Sequence, residues 1–247
     1  MKAMLFAAGL GTRLLPHTLD KPKALVEAGG VPLLEIALKR LINAGCKEVV
    51  INVHHFAEQV IGFIERKESF GIRIAISDER GQLLETGGGL KKAAWFFDDG
   101  QPFLLCNTDV LTDLNLNTFY EAHLRSGAVA TLAVRHRKTS RYLLFDENMQ
   151  MQGWRNSRTG ETRWCSQPAP AQVSEWGFSG LHVVDPVLFE WMPPEKKFSI
   201  IEVYLKAATG AHITGYPHDD GFWLDAGKPE ALEIAAQRIA GLDLVAK

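Results

Sequence analysis

Short apolar runs alternate with amphipathic stretches through the first half of the chain. The apolar runs of strand length are residues 3–8, 48–53, 72–77 and 103–106. Residues 32–44 and 57–67 carry apolar side chains at helical spacing, and 88–97 predicts a third, shorter helix. Strands that are apolar on both faces and alternate with helices are typical of a parallel sheet covered by helices on both sides.

The pattern changes after Asp113. We expect Asp113 to cap a helix over 115–126, and the other predicted elements are strands at 128–135, 142–145, 149–154, 180–184, 213–216 and 222–224 and helices at 198–208 and 229–239. Residues 156–176 are polar, contain two prolines and lack periodicity, so they predict an irregular flap over a ligand. Because no repeat, linker or low-complexity tract interrupts the pattern, we expect residues 1–247 to form a single domain.

Composition removes several classes of function. The 247 residues include 27 Lys and Arg against 29 Asp and Glu, so the net charge is −2 and no basic surface for nucleic acid or anionic membrane is expected. No apolar run approaches the roughly 20 residues that span a bilayer. Residues 1–8 superficially resemble a signal peptide, but the run is short and enters a glycine-rich turn. The three cysteines are widely spaced and predict reduced thiols, so we expect a cytoplasmic protein.

The glycine-rich turn after the first strand is the first candidate for chemistry. Ligands gather at the carboxyl ends of strands in open α/β sheets. Residues 8–13 (AGLGTR) offer backbone N–H groups with no side chains in the way, which suits a phosphate. Leu14 occupies the third glycine position of the dinucleotide fingerprint, and no Gly-Lys-Ser/Thr follows, so neither that motif nor a Walker loop is present. An ordinary tight turn is the alternative.

Two cations and two carboxylates sharpen this interpretation. Arg13 and Lys23 lie close enough to the turn to reach polyphosphate oxygens, although solvated loop charges are the commonest fate of such side chains. Asp109 and Asp225 each follow a short apolar run. Either aspartate alone would fit a turn or a helix cap, but two of them at strand ends suit magnesium, which takes one or two carboxylates plus substrate phosphates.

These segments together resemble a known family. Residues 5–14 (LFAAGLGTRL), 21–25 (KPKAL) and 223–229 (WLDAGKP), with Asp109, resemble the signature of the sugar-1-phosphate nucleotidyltransferases over nearly the whole chain. The resemblance implies a Rossmann-like fold of the GT-A type, with a mixed, mostly parallel central sheet flanked by helices. It also implies that a nucleoside triphosphate and a sugar-1-phosphate give a nucleotide-sugar and pyrophosphate, with Mg²⁺ as cofactor.

The resemblance also implies roles for individual residues. Arg13, Lys23 and Asp109 would be catalytic, with Arg13 on the departing pyrophosphate, and Asp109 and Asp225 would bind the metal. The nucleotide would contact Ala8, Gly9, Gly11, Thr12, Arg13, Lys23, Thr86, Gly87, Gly88 and Asn107. The sugar substrate would contact Glu85, Asn107, Gly180 and Asp225.

The choice of nucleotide and sugar rests on shorter segments. Residues 84–89 (LETGGG) and 178–182 (FSGLH) look most like the N-acetylmuramate-1-phosphate uridylyltransferases of peptidoglycan recycling, which use UTP. Mannose-1-phosphate guanylyltransferases, choline-phosphate cytidylyltransferases and a non-catalytic nucleotide-sugar sensor are the alternatives. Two features depart from the family pattern. Thr108 stands where the family usually has Gly or Ala before the metal-binding aspartate, and the Glu-Lys-Pro segment that often contacts the sugar and its phosphate is not recognisable. We expect no C-terminal left-handed β-helix, and the sequence leaves room for a homodimer.

Overall fold

The apolar run after Met1 forms strand β1 (Lys2–Phe6) in the middle of a ten-stranded sheet. In the computed structural model, which describes residues 1–239, Ala3, Met4 and Leu5 are fully buried. Their side chains point alternately to the two faces of the sheet, and both faces are covered by helices. The predicted α/β class is therefore confirmed.

The regular elements follow the predicted order. The other strands are β2 (Glu27–Ala28), β3 (Val31–Pro32), β4 (Glu48–Val53), β5 (Arg73–Asp78), β6 (Phe103–Asn107), β7 (Val110–Thr112), β8 (Ala130–Arg135), β9 (Arg141–Phe145), β10 (Met151–Asn156), β11 (Thr162–Trp164), β12 (Ser174–Val184), β13 (Ile213–Pro217) and β14 (Trp223–Asp225). The helices are α1 (Leu33–Asn43), α2 (Ala57–Arg66), α3 (Glu85–Lys92), α4 (Leu116–Ser126), α5 (Ile200–Ala207) and α6 (Pro229–Ile239). Short 3₁₀ turns lie at Thr12–Leu14, Lys23–Leu25, Glu68–Gly71, Ala94–Phe96 and Pro186–Trp191.

The large sheet has a parallel part and an antiparallel part. The strand order is β11-β10-β9-β12-β6-β1-β4-β5, with β8 beside β12 and β13 beside β8. Strands β6, β1, β4 and β5 run parallel, so their carboxyl ends share one edge. Strand β12 is antiparallel to β6, β8 and β9 and joins the two parts. This mixed sheet is the one that the family resemblance implies.

Apolar side chains form a core on each face of the sheet and a third cluster beside the glycine-rich turn. Helices α1, α2 and α4 pack on one face, and α3 and α5 pack on the other. In the third cluster, Leu232 and Ala235 of α6 pack with Leu14 and Val26, which flank the turn. Helix α6 thus supports the segment that carries Arg13. None of the helices within residues 1–239 is both long and apolar enough to cross a bilayer.

Two predictions about local structure are wrong. Asn115 caps α4 by accepting a hydrogen bond from the Thr118 N–H (3.0 Å), whereas the Asp113 carboxylate accepts one from the Phe222 N–H (2.9 Å). Residues 156–176 are not wholly irregular, because they include β11 and the first residues of β12. The polar composition hid these strands, since an edge hairpin leaves many of its side chains half-buried on both faces and shows no clear alternation.

Candidate active site

The glycine-rich turn leaves β1 at the carboxyl edge of the sheet. Gly11 has a φ of +68°, and a β-carbon there would lie 2.9 Å from the Lys23 Cβ and from the Thr18 Cγ2. The Thr18 hydroxyl donates a hydrogen bond to the Gly11 carbonyl oxygen (3.0 Å). Glycine is required here because the backbone is left-handed and the segment carrying Lys23 packs directly against it. The turn therefore brings Lys23 to the end of β1.

Asp109 and Asp225 meet although 116 positions separate their numbers (225 minus 109). Strand β14 is antiparallel to β7 and pairs Asp225 with Val110. The Ala226 N–H donates to the Asp109 carbonyl oxygen (2.8 Å). A β-carbon on Gly227 would lie 2.7 Å from the Asp225 Oδ1 and 2.8 Å from the Asp109 Oδ2, so both carboxylates face the space beside this glycine.

Both predicted cations contact this pair of carboxylates. The Lys23 Nζ donates to the Asp109 Oδ2. The Arg13 guanidinium lies 3.1 Å from the Asp225 Oδ2 through Nη1 and 3.8 Å from the Asp109 Oδ2 through Nη2. The structure thus joins the four charged residues that the sequence singled out into one cluster at the ligand edge of the sheet.

The two carboxyl groups have different proton affinities. Burial raises the pKa of Asp109, and the adjacent Asp225 adds to this effect, although Lys23 opposes it. Burial also acts on Asp225, but hydrogen bonds from the Gly227 N–H and from Arg13 outweigh it and lower the pKa of that group. Asp225 is therefore the more readily ionised of the pair.

The donor set of this cluster fits magnesium. Within residues 1–239, no group of three or more His, Cys, Asp or Glu side chains is placed to hold a metal ion. The protein therefore supplies two converging carboxylates at this point. Magnesium is commonly held in this way, by one or two carboxylates with substrate phosphates and water completing its shell.

A cavity of about 300 Å³ opens beside the turn. The predicted nucleotide-binding residues that line it are Ala8, Gly9, Arg13, Lys23, Thr86 and Asn107, and Glu85 lines it as well. A β-carbon on Gly9 would meet no atom within 4 Å, so its backbone is open to a ligand. Gly11 and Thr12, which were also predicted to contact the nucleotide, are not among the residues that line the cavity.

Gly87 and Gly88 are not among the residues that line this cavity, and their contact with the nucleotide stays a prediction. Helix α3 begins at Glu85, three residues before the predicted start, so both glycines lie in its first turn. Their N–H groups donate to the Phe198 carbonyl oxygen (3.0 and 3.1 Å). A β-carbon on Gly88 would lie 2.0 Å from the Lys196 carbonyl oxygen. These glycines allow the segment before α5 to pack closely against α3.

A buried polar network, whose members Asn52 and Glu79 line this cavity, was not predicted from the sequence. The Asn52 side chain accepts a hydrogen bond from the Ala7 N–H (2.8 Å) and donates one to the Glu79 Oε1 (2.7 Å). The Glu79 Oε2 accepts a hydrogen bond from the Leu84 N–H (3.2 Å), and burial raises the pKa of this fully buried carboxyl. The network ties the turn after β1 to the start of α3. A lone Asn in the apolar run EVVINV was the available signal.

A second cavity, of about 340 Å³, adjoins the first at the carboxylates. It shares Arg13, Asn107 and Asp109 with the first cavity, and the predicted sugar contacts Gly180 and Asp225 also line it. Gly180 has a φ of +78° at a register break in β12, and a β-carbon there would lie 2.8 Å from the Asn107 Nδ2. Two ligand spaces therefore meet at the charged cluster.

Thr108 departs from the family pattern without displacing the loop. Its hydroxyl donates to the Phe6 carbonyl oxygen at the end of β1. The side chain is buried, and its hydrogen bond links β1 to the turn between β6 and β7. The hydroxyl thereby helps to fix the position of the adjacent Asp109.

Comparisons with known proteins identify the family and the fold of this chain. A family model described as nucleotidyl transferase matches residues 2–241. The N-acetylmuramate alpha-1-phosphate uridylyltransferase of Caulobacter vibrioides is 31% identical over 247 residues, which cover 96% of each chain. The mannose-1-phosphate guanylyltransferase catalytic subunit beta of Dictyostelium discoideum is 26% identical over 93% of this chain and 62% of that protein. The crystal structure of HddC from Yersinia pseudotuberculosis, complexed with GMP-PN, has the same fold, with a TM-score of 0.76, 20% identity and coverage of 96% of this chain and 98% of that one.

Proposed function

Because this chain belongs to the nucleotidyl transferase family, we propose that it condenses UTP with N-acetylmuramate 1-phosphate. The products would be the uridine diphosphate sugar and pyrophosphate. The observation that carries the proposal is the meeting of Arg13, Lys23, Asp109 and Asp225 where two cavities join. A transfer between two phosphorylated substrates needs such a junction, with one substrate on either side.

The reaction requires no protein nucleophile. A phosphate oxygen of the sugar-1-phosphate attacks the α-phosphorus of UTP, the bond from that phosphorus to the bridging oxygen breaks, and pyrophosphate leaves with the bond's electrons. The triphosphate would lie against the Gly9 backbone, with Lys23 on the α-phosphate and Arg13 on the pyrophosphate. Both cations stand at the cluster before substrate binds, so catalysis would come from proximity and preorganised charge.

Asp109 and Asp225 would hold the metal that this family uses, which we propose is Mg²⁺. When bound, the ion neutralises phosphate oxygens and orients them. Lys23 and Arg13 lie against the two carboxylates, within reach of phosphates bound at the same point.

The lining of the two cavities supports further contacts. Ala8, Glu85, Thr86 and Asn107 line the first cavity and would contact the nucleotide, and Gly180 lines the second and would contact the sugar. We propose that one domain carries the whole site, since all of these residues lie within 1–239. The corresponding metabolic setting would be peptidoglycan recycling in the cytoplasm.

Transfer of GMP to mannose 1-phosphate is the second candidate, favoured by the similarity to the Dictyostelium discoideum guanylyltransferase subunit. A non-catalytic sensor is disfavoured, because all four charged residues of the cluster are present and in contact.

The experiment is a panel of UTP, GTP, CTP and dTTP against the 1-phosphates of N-acetylmuramate, mannose and glucose, with Mg²⁺ present and pyrophosphate release measured. We expect the fastest release from UTP with N-acetylmuramate 1-phosphate. Faster release from GTP with mannose 1-phosphate would select the second candidate. No release from any pair would overturn the enzymatic proposal.

A further inference from the structure

The second cavity, which would hold the sugar, contains more positive charge than phosphate transfer requires. Arg13, which lines it, is already paired with Asp225 and Asp109. Arg137 and Arg141 line the same cavity, and neither makes an ion pair with any residue between 1 and 239. Because both of these arginines lack an acidic partner within the described residues, we expect an anionic group of the ligand to pair with them.

Arg137 is held in a fixed orientation. Its aliphatic part lies against Gly177, where a β-carbon would be 2.6 Å from the Arg137 Cγ. The Nη2 donates to the Phe178 carbonyl oxygen (2.8 Å), and the guanidinium carbon lies 4.6 Å from the centre of the Trp223 ring. The Trp223 indole in turn donates to the Ser179 carbonyl oxygen (2.9 Å). The ring and the glycine therefore fix this cation before any ligand arrives.

One nitrogen of the Arg137 guanidinium nevertheless lacks a hydrogen-bond partner among residues 1–239. The Arg137 Nε is buried and has no acceptor in the described part of the chain. Burial lowers the pKa of this guanidinium, while the charge of Asp225 acts in the opposite direction. An unsatisfied buried donor and a partly desolvated cation both cost free energy, and an anionic ligand would recover it.

We propose that Arg137, assisted by Arg141, binds a carboxylate carried by the sugar and so selects acidic sugar phosphates. This inference rests on the proposed function and names the chemical class of its second substrate. N-acetylmuramate carries a carboxylate on its lactyl ether, whereas glucose, mannose and N-acetylglucosamine carry none. The planar guanidinium fork suits a carboxylate better than a lysine ammonium does.

The test first compares two sugars that differ only in the lactyl ether that carries this carboxylate. We would measure kcat and KM for N-acetylmuramate 1-phosphate and for N-acetylglucosamine 1-phosphate with the wild-type protein, Arg137→Gln and Arg137→Lys. The wild type should prefer the acidic sugar. In Arg137→Gln, the ratio of the two kcat/KM values should fall about 10- to 100-fold, mainly through the KM of the acidic sugar. Arg137→Lys should recover only part of the ratio, and Arg141→Gln should have a smaller effect.

Lys138→Gln is the matched control, because it removes a positive charge next to Arg137 from an exposed side chain that does not line the cavity. We expect it to keep the wild-type ratio. An equal loss of kcat/KM on both sugars in Arg137→Gln would overturn the inference, since it would mean that Arg137 holds the shared phosphate or the fold.

A second measurement needs no variant and therefore does not depend on how Arg137→Gln folds. With the wild-type protein, the methyl ester of the lactyl carboxylate should have a KM about 10- to 100-fold above that of the free acid. Turnover of acid, ester and N-acetylglucosamine 1-phosphate with equal kcat/KM would overturn the inference but leave the nucleotidyltransferase proposal intact. No turnover of any sugar phosphate with any nucleotide would overturn both.

Discussion

The cluster of Arg13, Lys23, Asp109 and Asp225 lies where two cavities join, and the two cavities are built differently. The first cavity is called the nucleotide side and the second the sugar side. The nucleotide side is formed by the ends of parallel strands, where β1, β4, β5 and β6 place short contiguous motifs side by side. The sugar side is lined by segments far apart in sequence, including β9, β10, β12 and β14, and Gly180 lies at a register break in β12. In the proposed function, the first side would carry out the general phosphate chemistry and the second would distinguish one sugar from another.

The largest effect is expected where the two sides share a residue. Asp109→Asn should lower kcat by about 10³-fold, because it removes a preorganised charge from the metal and phosphate position. The measurement is steady-state pyrophosphate release with Mg²⁺. Asp220→Asn is the control, since Asp220 is exposed and close in sequence to Asp225. Turnover of Asp109→Asn close to that of the control would contradict the assignment.

The second-largest effect is expected from Asn52→Leu, which disrupts the buried polar network on the nucleotide side. The substitution leaves the Ala7 N–H and the buried Glu79 carboxyl without their partner. We expect a loss of about 2–4 kcal/mol in the free energy of unfolding, because buried polar groups become unsatisfied. Urea denaturation measures this loss. Asn117→Leu, on the exposed face of α4, serves as the control and should change stability by less than about 0.5 kcal/mol. Equal stability of the two variants would show that the network contributes little.

The sugar side should respond to Gly180→Ala. A β-carbon at this position would lie 2.8 Å from the Asn107 Nδ2 and 2.9 Å from the Val110 Cγ2, so the wall of the cavity must move. We expect the KM for the sugar phosphate to rise by about 10-fold, with a smaller rise in the KM for UTP. Gly160→Ala is the matched control, because Gly160 has a similar φ of +75° but open space around it. The same kinetics in both variants would mean that backbone strain, and not the cavity wall, explains the result.

The smallest expected effect is a pH dependence of the free energy of unfolding, caused by a buried histidine next to the wall of the sugar-side cavity. His218 is buried, with its Nε2 2.7 Å from the Ser179 Oγ. Burial, reinforced by Arg135 and opposed by Asp219 and Asp113, lowers its pKa to about 4. Because this folded-state pKa lies below the usual value near 6.5, the unfolded chain binds the proton first and stability falls as pH drops from 6.5 toward 4.

His218→Asn should remove this contribution. Between pH 7.5 and 5.5, the free energy of unfolding should fall by about 1 kcal/mol less in the variant than in the wild type. His123 and His182 also have lowered pKa values, so the wild-type and variant curves must be compared at each pH. Parallel curves would contradict the contribution of His218.

The sequence allowed the elements of the nucleotide side to be predicted because each lies in a contiguous motif at a strand end. Arg13, Lys23, Asp109 and Asp225 come together as their positions after apolar runs indicated. The catalytic and metal-binding roles of these residues stay predictions, which the kinetic experiments address.

Features that depend on packing between distant segments could not be predicted in this way. The glycines of LETGGG suggested a ligand cradle, but Gly87 and Gly88 pack against Phe198, more than 100 positions away. In the sequence, Asn52 is indistinguishable from any other polar residue in a strand, and only the fold places Glu79 beside it. Arg137 gained its significance from Gly177 and Trp223, which only the path of β12 and β14 brings to it.

The central claim is that Asp109 and Asp225 act as one unit, and a double-mutant cycle tests it most directly. Pyrophosphate release from UTP and N-acetylmuramate 1-phosphate would be measured for Asp109→Asn, Asp225→Asn and the double variant. If the two carboxylates serve one metal and one triphosphate, the double variant should be no slower than the slower single variant. Losses that multiply, so that the double variant falls by the product of the two single effects, would contradict a shared site.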